Sequence, residues 1–130
     1  MTQPELMPPG LVIVIIDDDL AVRNSLKFSL EIEGLTVHSY ATGPDLLKAN
    51  DLNRCDCFIV DHKMPEMNGL ELIATLRDRR VSAPAILITS HPSQWLRARA
   101  EQACVPIVEK PLLENVLLDK IHELVGGKSW

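Results

Sequence analysis

Residues 11–19 read LVIVIIDDD, six aliphatic residues followed directly by three aspartates. Three later segments have the same pattern, an apolar run that ends at polar residues: CFIVD at 57–61, ILITS at 86–90 and IVEKP at 107–111. Short continuous apolar runs are typical of buried parallel strands, and open α/β sheets bind ligands at the carboxyl ends of such strands. The four segments therefore predict one site shared by four strand ends.

Strand and helix signals alternate five times along the chain, with strands predicted near 11–16, 35–40, 56–60, 85–89 and 105–108. This alternation is typical of a parallel sheet covered by helices on both faces. The predicted fold is α/β, a flavodoxin-like doubly wound sheet of five parallel strands, (βα)5, in the order 2-1-3-4-5. In that order the first and third strands are neighbours, so their carboxyl ends lie side by side.

Helical spacing of apolar residues predicts the five helices. Gly34 ends the first, Pro44 opens the second (about 44–50), Ser93 caps the fourth, and Gly126-Gly127 ends the last. The third helix runs from about 68 to 77. The expected buried stripes of the first, third and last helices are Val22, Leu26, Leu30; Leu70, Ile73, Ala74; and Leu113, Leu117, Ile121, Leu124.

The 130 residues fit a single domain, expected at 11–125, with flexible tails at 1–10 and 126–130. The formal charge of -5 and pI near 5.3 disfavour nucleic acid, which proteins bind mainly by neutralising phosphates with Lys and Arg. The proline-rich start and an apolar run of only six residues exclude a signal peptide or a membrane span.

The three cysteines are an odd count without disulfide-framework spacing, which favours a reducing cytoplasm. Cys55-x-Cys57 lacks a second thiol pair or an ordered His spacing, so a metal site is not expected there. We expect all three thiols, including Cys104, to be buried and inert.

The strand ends bring an acidic cluster into one crevice, made of Asp17, Asp18, Asp19 and Asp61. Like charges repel by roughly 1 kcal/mol per pair at 4 Å in water and about 4 kcal/mol at an effective dielectric near 20. Lys110 offers one compensating charge, and Mg²⁺ with oxygen ligands is the expected other.

A phosphoryl group fits the same crevice. Lys110 and the metal would stabilise its charge, and the hydroxyls of Thr89 and Ser90 can donate hydrogen bonds to its oxygens. These residues predict an aspartyl phosphate.

Four stretches, 14–23, 61–72, 87–90 and 109–111, resemble the signature of two-component response regulator receiver domains. The resemblance covers residues 11–125. The residues flanking these motifs are most similar to those of the FixJ or NarL-like group, whose receivers precede LuxR-type DNA-binding domains. The chain has no room for such an output domain beside a receiver.

The resemblance implies that Asp61 accepts a phosphoryl group from the phosphohistidine of a histidine kinase. Thr89 matches the switch hydroxyl of the family and Lys110 its phosphate-contacting lysine. The Lys110-Pro111 bond matches one that is usually cis in the family.

For the metal, the resemblance implies that Mg²⁺ is held by Asp17, Asp18, Asp61 and the backbone carbonyl of Lys63. Asp18 would bind directly and Asp17 mainly through water, with Asp19 peripheral. Taken alone, Asp17, Asp18 and Asp19 are also interpreted as a solvated strand end or a helix cap, since Asp is favoured before a helix.

The implied protein is a cytoplasmic phosphoacceptor that assists its own phosphorylation and dephosphorylation, not a dedicated enzyme. Its partners would be a histidine kinase or phosphotransfer protein, and a downstream effector or second copy on the face formed by helix four, strand five and helix five. Direct nucleic-acid binding and membrane association are not expected.

Three departures from the family pattern affect this face. Ile107 stands where the family usually has Tyr or Phe, whose ring turns inward as the switch hydroxyl moves. Ala103-Cys104 replaces a frequent Ala-Gly, and Pro106 is expected inside the fifth strand, where it removes a backbone donor.

Three other functions fit part of the pattern. A degenerate receiver that binds proteins without phosphorylation is suggested by Ile107. A haloacid dehalogenase-type phosphohydrolase would use Asp17-Asp18-Asp19, but it leaves Asp61 without a role and needs an acidic pair after Lys110. A flavin mononucleotide carrier would need a Gly- and Ser-rich loop where the aspartates stand.

Overall fold

The computed structural model describes residues 10–50, 52–112 and 115–126. Five parallel strands form one sheet in the order β2-β1-β3-β4-β5, which confirms the predicted fold. The strands are β1 Val12–Ile16, β2 Thr36–Tyr40, β3 Cys57–Asp61, β4 Ala85–Thr89 and β5 Ile107–Glu109. The helices are α1 Leu20–Ile32, α2 Gly43–Leu47, α3 Gly69–Asp78, α4 Gln94–Gln102 and α5 Val116–Gly126.

The sheet separates two hydrophobic clusters, because successive side chains of a strand point to opposite faces. Ile13 and Ile15 of β1 pack on one side, with α1 and α5, and Val14 and Ile16 pack on the other, with α2, α3 and α4. Both faces of the sheet are therefore covered, and the strand ends remain for a site.

The fifth strand begins two residues later than predicted, so the expectation that Pro106 lies inside it is wrong. Pro106 instead precedes β5, and its carbonyl accepts a hydrogen bond of 2.9 Å from the Leu87 N–H. Proline lacks a donor but keeps its acceptor, so it can open an edge strand without leaving a ladder bond unmade.

The buried face of α3 also differs from the prediction. Leu72, Ile73 and Leu76 are buried, whereas Leu70 is half-buried and Ala74 is exposed. The buried set continues from Gly69 at positions i, i+3, i+4 and i+7, the helical repeat that faces the sheet.

The helix termini are capped by polar side chains. Asp19 caps α1, Thr42 caps α2, Asn68 forms a capping box with Glu71, and Ser93 caps α4 as predicted. Gly34 follows α1 with a φ of 92°, a left-handed conformation that glycine adopts without strain. Pro44 lies in the first turn of α2, which ends at Leu47.

In α5, Leu117 and Ile121 are buried and Leu124 is half-buried, as the stripe predicted. Leu113 lies outside the described residues, as do 1–9 and 127–130 of the two predicted tails. Gly126, assigned to the C-terminal tail, is instead the last residue of α5. None of the helices within the described ranges is long and apolar enough to cross a membrane.

Two of the three thiols are buried, as predicted. Cys55 and Cys57 are buried, and the Cys55 Sγ donates to the Cys57 carbonyl at 3.1 Å. Cys104 is exposed, contrary to the prediction. It occupies the turn just after α4, with a left-handed φ of 59°.

Candidate functional site

Three carboxylates meet at the carboxyl ends of β1 and β3. One oxygen from each of Asp17, Asp18 and Asp61 lies within 4.8 Å of the others. Asp17 and Asp61 are buried, with 0% and 4% of their surface exposed, whereas Asp18 is exposed. The cluster forms because β1 pairs directly with β3, as the predicted strand order requires.

The β1–α1 loop, residues 17–19, holds the first two of these acids in place. The Asp17 N–H donates to the Tyr40 carbonyl at 3.2 Å, and the Asp19 N–H donates to Asp17 Oδ1 at 2.9 Å. The Asp19 carboxylate accepts from the N–H groups of Ala21 and Val22 at the start of α1. Asp19 is therefore a helix cap that lies outside the carboxylate cluster.

Asp61 is placed by tight packing between the end of β3 and the start of α3. A Cβ on Gly69 would lie 2.8 Å from the Asp61 carbonyl oxygen and 2.6 Å from Leu87 Cδ1. The Gly69 N–H donates to the His62 carbonyl at 3.0 Å. Only glycine permits this approach, a role that the sequence did not reveal.

Lys110 joins the cluster from the end of β5. Its Nζ lies 3.2 Å from Asp61 Oδ1, with a hydrogen bond, and 3.5 Å from Asp17 Oδ2. Its N–H donates to the Thr89 carbonyl at 2.9 Å, which links the ends of β4 and β5. Its peptide bond to Pro111 is cis, as the resemblance implied.

Burial and charge alter the protonation of this cluster. Desolvation and then the neighbouring charge of Asp17 raise the pKa of Asp61 to about 6, against an opposing effect of Lys110. Desolvation is the largest influence on Lys110 and favours its neutral form, but Asp61 and Asp17 together outweigh it and raise the pKa of Lys110. The lysine therefore stays charged beside an acid that is harder to ionise.

The donor set fits a hard divalent cation. Asp17 Oδ2 is buried and makes no hydrogen bond to any residue that the structure describes. Three carboxylates face one lysine, so negative charge exceeds positive charge in the crevice. Mg²⁺ prefers such oxygen ligands and needs only one or two carboxylates with water and phosphate oxygens.

The other predicted residues surround this cluster. Thr89 is buried at the end of β4, with its Oγ1 3.4 Å from the Ser90 carbonyl. Lys63 is exposed in the loop between β3 and α3, and the assignment of its carbonyl to the metal stays a prediction. His62 is half-buried, and burial and then Lys63 lower its pKa.

Arg23, one turn into α1, was given no role from the sequence. Its Nη1 donates to the Asp17 carbonyl at 2.7 Å. The available signal was its spacing, because an arginine four residues after a capping aspartate can reach back to the preceding loop.

Helix α4 presents an exposed surface next to β5. Trp95 is 65% exposed, and the Arg99 guanidinium lies over its ring at 5.3 Å from the centroid. Arg97 forms an ion pair with Glu109 of β5. Ile107 is half-buried and packs against the cluster that includes α4 residues.

The sequence model of the response regulator receiver domain matches residues 13–122, most of the chain. The chain belongs to the response regulator receiver family. The receiver is 32% identical over 109 residues to the transcriptional regulatory protein FixJ of Rhizobium meliloti, covering 83% of this chain and 53% of FixJ. It is 36% identical over 114 residues to the response regulator protein TodT of Pseudomonas putida, covering 85% of this chain and 49% of TodT.

Solved receiver structures share its fold. The structure of FixJ-N covers 95% of this receiver at 27% identity and a TM-score of 0.81, and the receiver covers 99% of FixJ-N. A CheY-like receiver from Methanospirillum hungatei matches 90% of the chain, and 94% of its own length, at 29% identity and a TM-score of 0.82. The receiver spans about half the length of the curated relatives named above. Phosphorylation and magnesium are typical of this two-component family.

Proposed function

We propose that this receiver accepts a phosphoryl group on Asp61 from the phosphohistidine of a histidine kinase or phosphotransfer protein, with Mg²⁺, and then changes its binding to another protein. One observation carries the proposal. Asp61 lies at a strand end within 4.8 Å of Asp17 and Asp18 and 3.2 Å from the Lys110 ammonium. The receiver unit would be residues 11–125.

In the transfer, an Asp61 carboxylate oxygen attacks phosphorus and forms the new O–P bond. The N–P bond to the donor histidine breaks, and its electron pair returns to the imidazole. Lys110 offsets the negative charge that arrives on Asp61, and the Thr89 hydroxyl donates a hydrogen bond to a phosphoryl oxygen. The receiver assists its own phosphorylation and dephosphorylation and is not a dedicated enzyme.

The metal would be held by Asp17, Asp18, Asp61 and the Lys63 carbonyl. When bound, Mg²⁺ supplies positive charge that stabilises the phosphoryl oxygens. Asp17 and Asp61 are already buried, so their carboxylates lose little solvation when such a ligand arrives. This supports a site built for a cation instead of a solvated acidic strand end.

The output face would be α4, β5 and α5, engaging a protein effector or a second copy. The exposed Trp95 with its stacked Arg99 supports this assignment, because Trp and Arg are enriched at interface hot spots. The proposal involves neither direct nucleic-acid binding nor a membrane. It places the protein in the cytoplasm, which the odd cysteine count favours.

A degenerate receiver that binds proteins without phosphorylation is the second candidate. Ile107 motivates it, because an aliphatic side chain has no ring to move between exposed and buried positions. The ion pair of Lys110 with Asp61, next to two further acids, favours the phosphorylated alternative. A module that only binds proteins has no use for buried carboxylates placed close together, which are unfavourable for the stability of the fold.

Mass spectrometry after incubation with acetyl phosphate and Mg²⁺ tests the proposal. We expect one Mg²⁺-dependent phosphoryl adduct on the wild type and none on Asp61→Asn. Asp119→Asn, which changes an exposed acid of α5, is the matched control and should be modified like the wild type. An adduct that persists in Asp61→Asn, or no adduct on the wild type, would reject the assignment.

A further inference from the structure

Arg23 makes a contact whose geometry bears on the acidic cluster. Its Nη1 donates to the backbone carbonyl of Asp17 at 2.7 Å, a short and strong bond for a charged donor. The Arg23 N–H also donates to the Asp19 carbonyl at 3.0 Å, as part of the first turn of α1. One residue therefore ties the start of the helix to the loop that carries the acids.

This bond completes the restraint of Asp17. The Asp17 N–H is held by Tyr40 of β2, Oδ1 by the Asp19 N–H, and the carbonyl by Arg23. The carbonyl belongs to the peptide plane that connects Asp17 to Asp18. A planar peptide has no internal rotation, so fixing its oxygen also fixes the direction in which Asp18 leaves the loop.

The position of the Asp18 carboxylate depends on that backbone direction more than the positions of the Asp17 and Asp61 carboxylates do. It is exposed, and among the residues that the structure describes nothing forms a hydrogen bond with its carboxylate. Asp17 and Asp61, in contrast, are enclosed by protein. The backbone of the loop is therefore the main restraint on where the Asp18 oxygens lie.

The choice of a carbonyl as the partner of Arg23 also matters. A guanidinium that paired with Asp17 or Asp18 directly would occupy the oxygens that a cation needs. By binding the main chain instead, Arg23 leaves all three carboxylates available while it orders the loop.

We propose that Arg23 is a positioning residue for the cation site, and that it acts by holding the Asp17–Asp18 peptide so that the Asp18 carboxylate faces Asp61. This inference rests on the proposed function for its purpose, but it concerns cation binding alone. Replacing Arg23 would have two effects on cation binding, and they have opposite signs. Losing the hydrogen bond weakens cation binding, whereas losing the positive charge strengthens it.

The test is titration of Mg²⁺ by calorimetry, without any phosphodonor, on the wild type, Arg23→Met and Arg23→Lys. Arg23→Met removes both the charge and the donor, and because the lost repulsion offsets part of the lost restraint, Mg²⁺ binding should weaken by about threefold to tenfold. Arg23→Lys keeps one charged donor and should recover most of the affinity. Lys27→Met, one turn further along α1, is the matched control and should bind like the wild type.

Urea unfolding of the same proteins separates positioning from general stability. We expect Arg23→Met to lose Mg²⁺ affinity while it keeps a cooperative transition, and Arg23→Lys to regain that affinity. Unchanged or tighter Mg²⁺ binding in Arg23→Met would overturn the inference, as would equal weakening in Lys27→Met. If the wild type binds Mg²⁺ but forms no phosphoryl adduct, the proposed function fails while the role of Arg23 is still decided by the titration.

Discussion

Three consecutive aspartates have three different surroundings, and burial and hydrogen bonding account for the difference. Asp17 is buried beside Lys110, Asp18 is exposed within the carboxylate cluster, and Asp19 caps α1. The sequence predicted that the triplet belongs to the site, because it ends an apolar strand. It did not separate the acids of the site from a helix cap, since both are aspartates.

Asp18→Asn and Asp19→Asn should therefore differ in metal affinity. Asp18→Asn removes a charged ligand and should weaken Mg²⁺ binding by at least about tenfold. Asn is as good an N-cap as Asp, so Asp19→Asn should stay within about twofold of the wild type. Calorimetric titration measures both, and equal losses would mean that another pair of the triplet binds the metal.

Cys104 is one of the non-glycine residues with a positive φ. It follows the C-cap Ala103 in a Schellman motif, in which the Val105 N–H donates to the Ala100 carbonyl at 2.9 Å. Its φ of 59° is left-handed, a conformation that costs a residue with a Cβ about 1 kcal/mol or more.

Cys104→Gly should raise the free energy of unfolding by about 0.5 kcal/mol, since relief of strain exceeds the added entropy of the unfolded chain. Cys104→Ala keeps the strain and serves as the control, with little change expected. Urea denaturation measures both, and a less stable Cys104→Gly would show that the side chain makes a contact worth more than the strain.

Among the elements, the strands were predicted within one or two residues, since most of them are apolar runs that end at polar residues; β2, with the sequence TVHSY, is the exception. The start of β5 and the buried face of α3 were predicted incorrectly. A proline at a strand start and one in its interior look alike in sequence. The angular setting of α3 depends on Gly69, whose closeness to the end of β3 is a tertiary contact.

Gly69→Ala should destabilise the protein by about 2 to 3 kcal/mol, because the new Cβ meets the backbone of Asp61 and His62, which cannot turn aside. Gly43→Ala is the matched control. Its Cβ would meet only the flexible side chains of Met67 and Leu72, so a cost below about 1 kcal/mol is expected. Urea unfolding compares them, and similar costs would mean that α3 can move away from β3.

Activation should alter α4 and the preceding loop more than β5. The Thr89 hydroxyl can turn toward a phosphoryl oxygen, but Ile107 offers no ring to fill the space that it leaves. We expect NMR shifts on adding beryllofluoride and Mg²⁺ to concentrate at Thr89, residues 90–94 and α4. Thr89→Ala should reduce them, and large shifts confined to α2 and α3 would place the output face elsewhere.

At the scale of the whole molecule, the sequence predicted the sheet order and the meeting of Asp17, Asp18, Asp61 and Lys110. Strand order decides which carboxyl ends are neighbours, and that order was predicted from the five alternating strands and helices together with the common doubly wound topology. The Arg23 contact was not predicted, because its partner is a main-chain carbonyl. Every residue has such a carbonyl, so the sequence does not mark which one a long flexible side chain will bind. Such contacts depend on rotamers, which a single sequence does not specify.

The balance of buried charge makes stability depend on pH. The pKa of Asp61 is about 6 in the folded protein against an ordinary 3.8, so between these values the folded state binds more protons than the unfolded state. Without metal, stability should therefore fall as pH rises from about 4 to about 7. Lys110 remains charged throughout this range because its pKa is raised.

Asp61→Asn removes this dependence. In the presence of a chelator it should be more stable than the wild type by about 1 kcal/mol at pH 8, with the difference vanishing near pH 4. The wild type should regain stability when Mg²⁺ is added. Urea midpoints across this range provide the measurement, with Asp119→Asn as the control, and an Asn variant no more stable at pH 8 would show that ionised Asp61 carries no penalty.

The exposed Trp95 stacked with Arg99 gives the molecule an optical reporter of its own. An indole in water and an indole covered by a partner or moved from a cation differ in emission, and Trp95 lies on the helix expected to respond to activation. The chain has only one other tryptophan, Trp130, which lies outside the described residues. In a Trp130→Phe background, the tryptophan emission of the unlabelled protein therefore comes from a single position on α4, and its spectrum can follow that helix in real time.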